Sequence, residues 1–147
     1  MAQLTTGQRV DRYLVEGRIG EGGMAQVYLC IRRGAGGFQK RVVMKVLHSK
    51  FLSDPEYVSM FLEEARLLSR LEHPNIVSVF EVECVEDSPY RIPYLAMEFV
   101  NGPTLGRLHK RSIRLGVPDL GLTLSVMHRV CQGLHHAHTF RINGLPA

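Results

Sequence analysis

The stretch that decides the fold is "IGEGGMAQVYL", from Ile19 to Leu29. Gly20, Gly22 and Gly23 lie between two strand-like runs, so a tight turn joins them and its backbone amides are free to face a phosphate. In a dinucleotide-binding fold such a loop opens a helix, whereas this one continues into the strand "QVYL". The pattern favours a strand, a glycine turn over phosphates and a second strand, although many ordinary hairpins are also rich in glycine.

Lys45 lies in the apolar run "VVMKVL", which is predicted to be the next strand. Val43, Lys45 and Leu47 share one face of that strand, because side chains alternate with period two. A lysine on an apolar face loses hydration unless a carboxylate pairs with it. The alternative is a lysine on an edge strand whose ammonium reaches water along its own stem.

The segment "SDPEYVSMFLEEARLLSRLEHPN" is predicted to be a helix. Ser53 or Asp54 can cap it, and Pro55 suits its first turn. The helix is expected to end at His73-Pro74, because a residue that precedes proline avoids the helical conformation. Its apolar positions recur at helical spacing and are Tyr57, Phe61, Ala65 and Leu68.

Glu64 lies on the same side of this helix as its apolar positions, between Phe61 and Leu68, at about 100° of rotation per residue. Glu63 points the other way, toward solvent. Glu64 is therefore expected to face the sheet and to pair with Lys45, and removing one partner of a buried pair costs about 3–5 kcal/mol. The alternative is a peripheral glutamate that reaches water.

The remaining segments predict two more strands and then two helices. The strands are "IVSVFEVECV" and "IPYLAMEFV", joined by a turn at "EDSPYR", and they bring the total to about five. After Gly102 come a short helix in "TLGRLHKRSIR", a connector "LGVPDLG" and a longer helix in "LTLSVMHRVCQGLHHAHTF". Strands, one helix, strands and then helices form an α+β pattern without regular βαβ alternation.

Composition places the chain among globular proteins of one domain's size. It has 147 residues, 45% of them hydrophobic and 22% charged, with no long apolar run for a membrane span and no signal peptide. Three widely spaced cysteines disfavour disulfides and a zinc ribbon and fit a cytoplasmic location. The net charge is +4, and the basic residues of "IRRGAGGFQKR" and "GRLHKRSIR" are predicted to form solvated surface segments. Aromatic residues are not interleaved with them, so nucleic acid is not an expected partner, and acidic protein partners or substrates are the alternative.

In order and spacing, "IGEGGMAQVYLC", "VVMKV", "FLEEARLLSRLEHPNIV" and "LAMEFVNGPTL" resemble a bacterial, eukaryotic-like serine/threonine protein kinase over about residues 10–140. The resemblance implies a kinase N-lobe and hinge over 13–101, with a five-stranded antiparallel sheet and one helix, αC. Residues 1–12 would be an N-terminal extension. Residues 102–147 would start a C-lobe with two helices.

The resemblance also implies the site residues. The loop over ATP would comprise Ile19, Gly20, Glu21, Gly22, Gly23, Met24, Ala25, Gln26 and Val27, with alanine in place of the usual third glycine. Ile19 and Val27 would pack on the adenine. Lys45, oriented by Glu64, would hold the α- and β-phosphates. Met97 would be the gatekeeper, and Glu98 and Val100 would offer backbone hydrogen bonds to adenine.

The chain ends in "HHAHTFRINGLPA", where His135 and His138 are spaced by three residues and Asn143-Gly144 is a turn signal. A metal site there is disfavoured, since no Asp, Glu or Cys shares that turn and zinc takes three or four ligands. The His-Arg-Asp loop with its downstream Asn, and the Asp-Phe-Gly that binds magnesium, do not occur in the 147 residues. This chain alone is therefore not expected to transfer phosphate.

Three functions stay open on these residues. The first is the N-terminal part of a kinase that uses ATP and Mg²⁺ to phosphorylate protein Ser/Thr. The second is a non-catalytic module that binds nucleotide or a kinase partner, and the third is a structural or metal-binding role for the C-terminal histidines. Self-association is also expected, because the last helix would expose an apolar face. That face comprises Leu124, Met127, Val130, Cys131 and Leu134.

Overall fold

The computed structural model describes residues 4–85, 91–116, 120–142 and 145–146. The chain divides into two compact units, the first formed by Met1–Glu72 with Ser78–Phe99 and the second by His73–Val77 with Val100–Ala147. This division assigns the predicted N-terminal extension to the first unit and moves residues 73–77 to the second. The turns predicted in "EDSPYR" and at Asn143-Gly144, and the centre of "LGVPDLG", lie outside the described residues.

The first unit contains an antiparallel sheet of six strands in the order β1-β2-β3-β4-β6-β5. Successive side chains point to opposite faces of the sheet, and its central strands β4 and β6 carry buried residues on both faces. The strands are β1 Arg9–Val10, β2 Tyr13–Glu21, β3 Ala25–Arg33, β4 Gln39–Leu47, β5 Val79–Val85 and β6 Ile92–Glu98. The α+β fold class and the antiparallel sheet are confirmed.

The sheet has one strand more than predicted, because β1 pairs with the start of β2. A tight turn at Asp11, whose φ is 48°, joins β1 to β2. The Asp11 carboxylate accepts a hydrogen bond of 2.9 Å from the Tyr94 hydroxyl, and Arg12 forms an ion pair of 2.5 Å with Glu81. These contacts fasten the N-terminal segment to the far strands of the sheet, so it is an integral part of the fold.

Two hydrophobic cores form on the two faces of the sheet. The first core holds Tyr13, Tyr28, Cys30, Met44 and Tyr94, all at most 1% exposed. The second core lies between the sheet and the helix α1, Pro55–Leu68, whose Phe61 and Ala65 pack there with Ala25, Leu47 and Leu95. Alternate residues of β4 therefore serve different cores, and this fixes the direction in which each side chain points.

Helix α1 begins as predicted and ends earlier than predicted. The Asp54 carboxylate caps it by accepting a hydrogen bond of 3.0 Å from the Glu56 amide, and Pro55 occupies the first turn. The helix ends at Leu68, before His73-Pro74, because Ser69 forms the C-cap and its hydroxyl donates to the Arg66 carbonyl at 2.9 Å. A short-range cap thus ends the helix before the proline is reached.

The second unit contains two helices, as predicted. They are α2, Leu105–Arg114, and α3, Leu120–Thr139, followed by a strand pair of β7, Arg141–Ile142, and β8, Leu145–Pro146. Thr104 caps α2 by accepting a hydrogen bond of 3.3 Å from the Arg107 amide. Within the described part of the chain, no helix is long and apolar enough to cross a membrane.

Stability is expected to fall at alkaline pH, because the first core holds neutral acids. Burial raises the pKa of Tyr13 and Tyr94 above the usual 10.0 and raises the pKa of Cys30 from 9.0 to about 12. The unfolded chain would ionise near these usual values while the folded chain stays neutral. Each such group lowers the free energy of unfolding by up to about 1.4 kcal/mol per pH unit above its unfolded pKa.

Urea unfolding followed by circular dichroism at pH 8.0 and pH 10.5 tests this expectation. The midpoint should be clearly lower at the higher pH. The variant Cys30→Ala should lose less stability than the wild type over the same interval, because one of the ionising groups is gone. Equal midpoints at the two pH values would contradict the prediction.

Candidate functional site

The predicted pair of Lys45 and Glu64 is confirmed. Lys45 Nζ donates to Glu64 Oε1 at 2.6 Å and to Glu64 Oε2 at 2.9 Å. Lys45 is not on an edge strand, since β4 pairs with β3 on one side and with β6 on the other. The neighbouring Glu63 is exposed, as expected, and accepts a hydrogen bond of 3.3 Å from Ser59.

The pair is only partly buried, which sets its electrostatic contribution. The Lys45 side chain is 22% exposed and that of Glu64 is 40% exposed. A pair so open to water contributes about 1 kcal/mol or less, well below the value for a buried pair. The Lys45 ammonium also lies 5.8 Å from the Phe61 ring centroid. Both side chains are therefore held in place yet remain accessible to a ligand.

The glycine turn joins β2 to β3, and β3 lies beside β4, the strand that carries Lys45. Gly20, Val27 and Lys45 are directly opposite one another across β2, β3 and β4. None of the glycines in the turn has a positive φ. A Cβ added at Gly23 would meet nothing within 4 Å, whereas one at Gly20 would lie 3.6 Å from Val27 and one at Gly22 would lie 3.6 Å from the Ala25 carbonyl oxygen. The glycines form the predicted tight turn without a left-handed backbone conformation.

His48 holds the glycine turn and was missed by the sequence reasoning. Its backbone amide donates to the Met24 carbonyl at 2.9 Å, and its ring Nε2 lies 3.2 Å from the Gly22 carbonyl. Nε2 also lies 3.7 Å from a Glu21 carboxylate oxygen. The only local signal is its place directly after β4, which does not reveal contacts to a turn more than twenty residues earlier.

The other predicted residues of the loop divide into accessible and buried side chains. Ile19, the extra residue of a β-bulge, is 52% exposed. The side chains of Ala25 and Gln26 are buried, and Gln26 Oε1 accepts a hydrogen bond of 2.6 Å from the Tyr28 hydroxyl. Exposed Glu21 forms an ion pair with Arg18 at 2.8 Å. Ala25 and Gln26 can therefore offer only backbone groups to a ligand.

The predicted gatekeeper and hinge residues lie at and after the end of β6. Met97 is partly buried and packs against the second core. The Glu98 amide already donates to the Ser78 carbonyl at 2.9 Å, so its own carbonyl is the backbone group left for a ligand. Val100 belongs to the second unit and is 62% exposed.

Of the C-terminal histidines, His136 packs within the second unit, whereas His135 and His138 are exposed. The rings of His73 and His136 stack with centroids 5.1 Å apart. Asn75 donates to the Gln132 side chain at 3.3 Å and binds residues 73–77 to α3. Across the described ranges, no three His, Cys, Asp or Glu side chains come close enough to hold a metal ion.

Comparison with known proteins agrees with this geometry. The chain matches the model of the protein kinase domain over residues 13–143. It belongs to the protein kinase family. Its N-lobe is the six-stranded sheet with α1 as the αC helix, and α2 and α3 are the first helices of the C-lobe.

Several relatives are bacterial protein kinases. The chain is 38% identical to the serine/threonine-protein kinase PknA of Mycobacterium tuberculosis over 86% of its length, and 33% identical to PrkC of Bacillus subtilis over 92%. It is also 38% identical to the tyrosine-protein kinase MasK of Myxococcus xanthus over 87%. The matches span 28%, 20% and 19% of those three relatives, respectively.

Solved structures show the same fold. The crystal structure of the Mycobacterium tuberculosis PknI kinase domain superposes with a TM-score of 0.67 at 26% sequence identity. The match covers 92% of this chain and 52% of that one, so the chain spans about half of the kinase domain that it matches.

Proposed function

We propose that this chain supplies the ATP-binding part of a protein kinase that phosphorylates serine or threonine in other proteins. Lys45 would bind the α- and β-phosphates, and Glu64 would orient the lysine. The glycine turn would cover the phosphates, with its backbone amides as donors. The observation that carries the proposal is that Lys45 Nζ donates to both carboxylate oxygens of Glu64. Lys45 lies on the same sheet as the two strands that the glycine turn joins.

The adenine would lie between apolar side chains of the sheet. Ile19 and Val27 are accessible in the first unit, and Met97 lies at the back of the same face, opposite Val43. The Glu98 carbonyl and the Val100 backbone would supply hydrogen bonds.

The three described cysteines are all free, which supports a cytoplasmic location where ATP is available.

Magnesium does not fit the residues that the structure describes. Mg²⁺ prefers carboxylate oxygens, and the Glu64 carboxylate is already engaged by Lys45. No group of three candidate ligands converges elsewhere in the described ranges. The described residues therefore supply no magnesium site of their own.

Serine or threonine is proposed as the acceptor because PknA, Pkn1 and PrkC are serine/threonine-protein kinases by name. MasK, a tyrosine-protein kinase by name, makes tyrosine the competing acceptor. The protein encoded by the full reading frame should be incubated with labelled ATP and a peptide library, and the labelled residues identified. Labelling confined to tyrosine would overturn the serine/threonine assignment.

Titration of the 147-residue chain with ATP tests the binding step directly. Isothermal calorimetry should show saturable binding of ATP, and GTP should bind more weakly because its ring presents different hydrogen-bonding groups to the hinge. Absence of ATP binding would sink the proposal. If ATP binds while the protein from the full reading frame transfers no phosphate, the alternative of a non-catalytic nucleotide-binding module holds.

Self-association of this chain is also proposed, through α3. Leu124, Met127 and Leu134 are 60%, 48% and 51% exposed, and with exposed Cys131 they form one stripe along the helix. Spacings of three and four residues suit packing against the same helix of a second copy. Size-exclusion chromatography with light scattering should give a dimer or larger species, and Met127→Lys should reduce it. A monomer at micromolar concentration would contradict this.

A further inference from the structure

The positive charge of the chain is concentrated in its C-terminal third. Residues 100–147 hold six Lys and Arg and one Asp, a formal charge of +5. Residues 1–99 hold twelve Lys and Arg and thirteen Asp and Glu, a formal charge of −1. The net charge of +4 therefore arises entirely from the second part of the sequence.

Four of those six cations lie on one face of α2. Arg107, Lys110, Arg111 and Arg114 are spaced by three, one and three residues, which places them within an arc of about 100° on the helix. All four are exposed. The row is about 10 Å long, at a rise of about 1.5 Å per residue. We refer to these four residues as the basic face of α2.

No carboxylate of the described residues neutralises the basic face. In the first unit, by contrast, Arg12, Arg18 and Arg41 each form an ion pair with a glutamate. Placing like charges three and four residues apart on a helix is destabilising. Without acidic partners the four cations repel one another, and an anionic partner from another molecule would relieve this repulsion.

We propose that the basic face of α2 is a docking surface for an acidic, extended segment of another protein. Side chains on one side of an extended segment lie about 7 Å apart, so acidic residues at every second position match a row of about 10 Å. Arginine and lysine in this spacing offer several charge-assisted hydrogen bonds to carboxylates. The docking does not involve ATP, so it stands or falls independently of the proposed kinase function.

A polypeptide fits this surface better than a membrane or a nucleic acid. Leu105, Leu108 and Ile113 are the large apolar residues on the other side of α2, and Leu108 is partly buried, so this ten-residue helix has little apolar surface to insert into a bilayer. The ten residues of α2 include no Phe, Tyr or Trp on which a base could stack, and the one histidine, His109, lies on the side of the helix away from the basic face. Charge alone is left as the recognition element, and it suits an acidic peptide.

Fluorescence anisotropy of a labelled peptide of alternating glutamate and serine tests the proposal. The 147-residue chain should bind this peptide, and binding should weaken steeply as salt rises, since about 1 M salt reduces the screening length to about 3 Å. A peptide with glutamine in place of glutamate should not bind. The double variant Arg107→Gln/Arg111→Gln should bind the acidic peptide about tenfold more weakly.

The matched control is Arg66→Gln, an exposed cation on the surface of α1, which should leave the affinity unchanged. Circular dichroism checks the folding of each variant, and the single variant Arg111→Gln should lose about threefold if the double variant fails to fold. Equal affinity of the Arg111→Gln variant and the wild type would overturn the proposal. So would tighter binding of an oligothymidylate or of vesicles containing phosphatidylserine than of the acidic peptide.

Discussion

Replacing Lys45 with methionine is expected to weaken the binding of ATP by about tenfold or more. The change removes the cation that would contact the phosphates and leaves the Glu64 carboxylate without its partner. A hydrogen bond to a charged group contributes about 1.5–3 kcal/mol, and about 1.4 kcal/mol corresponds to a factor of ten. Methionine keeps an unbranched stem of similar length, so the effect reports on charge and not on packing.

Calorimetric titration of wild type and Lys45→Met with ATP measures this loss. The control is Lys40→Met, which changes an exposed lysine of the same strand, β4, whose ammonium lies 5.0 Å from the Phe80 ring centroid. Lys40→Met should bind ATP as the wild type does. If Lys45→Met does so as well, the phosphates are held by other groups.

The variant Phe61→Ala is expected to lower the free energy of unfolding by about 3–5 kcal/mol, the usual cost of truncating a buried phenylalanine. Phe61 is 1% exposed and is the largest side chain of the core between α1 and the sheet. Its removal leaves a cavity at the point where α1 is fastened, one turn before Glu64. Urea unfolding followed by circular dichroism measures the loss.

The matched control is Met60→Ala, at the preceding position of α1, where the side chain is 49% exposed. Since it faces mainly water, its truncation should cost less than about 1 kcal/mol. Similar losses for the two variants would mean that α1 is not anchored through Phe61. In that case Phe61 would not be the residue that holds α1, and with it Glu64, against the sheet.

A third expectation concerns His48, which contacts the glycine turn. His48→Ala should weaken ATP binding about two- to tenfold, since one hydrogen bond contributes about 0.5–1.5 kcal/mol. His48→Gln keeps a donor and should restore part of the affinity, which a purely structural role would not explain. Ser49→Ala, an exposed neighbour, serves as control. Unchanged affinity in His48→Ala would show that the turn needs no support from His48.

Features encoded by short-range patterns were predictable from the sequence. Alternation in "VVMKVL" placed Lys45 on the face that carries α1, and helical rotation separated Glu64 from Glu63. Asp54 and Pro55 marked the start of α1 because capping depends on neighbours within one turn. The α+β class followed from the order of such segments along the chain.

Features that depend on distant contacts emerged only from the tertiary structure. The strand β1 exists because Asp11 reaches Tyr94, 83 residues away, and Arg12 reaches Glu81, 69 residues away. His48 acts on a turn 26 residues earlier. The sequence by itself determined the periodic segments and made Lys45 and Glu64 a candidate pair, since side-chain periodicity is local. Only the tertiary structure decided that β1 joins the sheet and that His48 contacts the glycine turn, since both depend on residues far apart in the sequence.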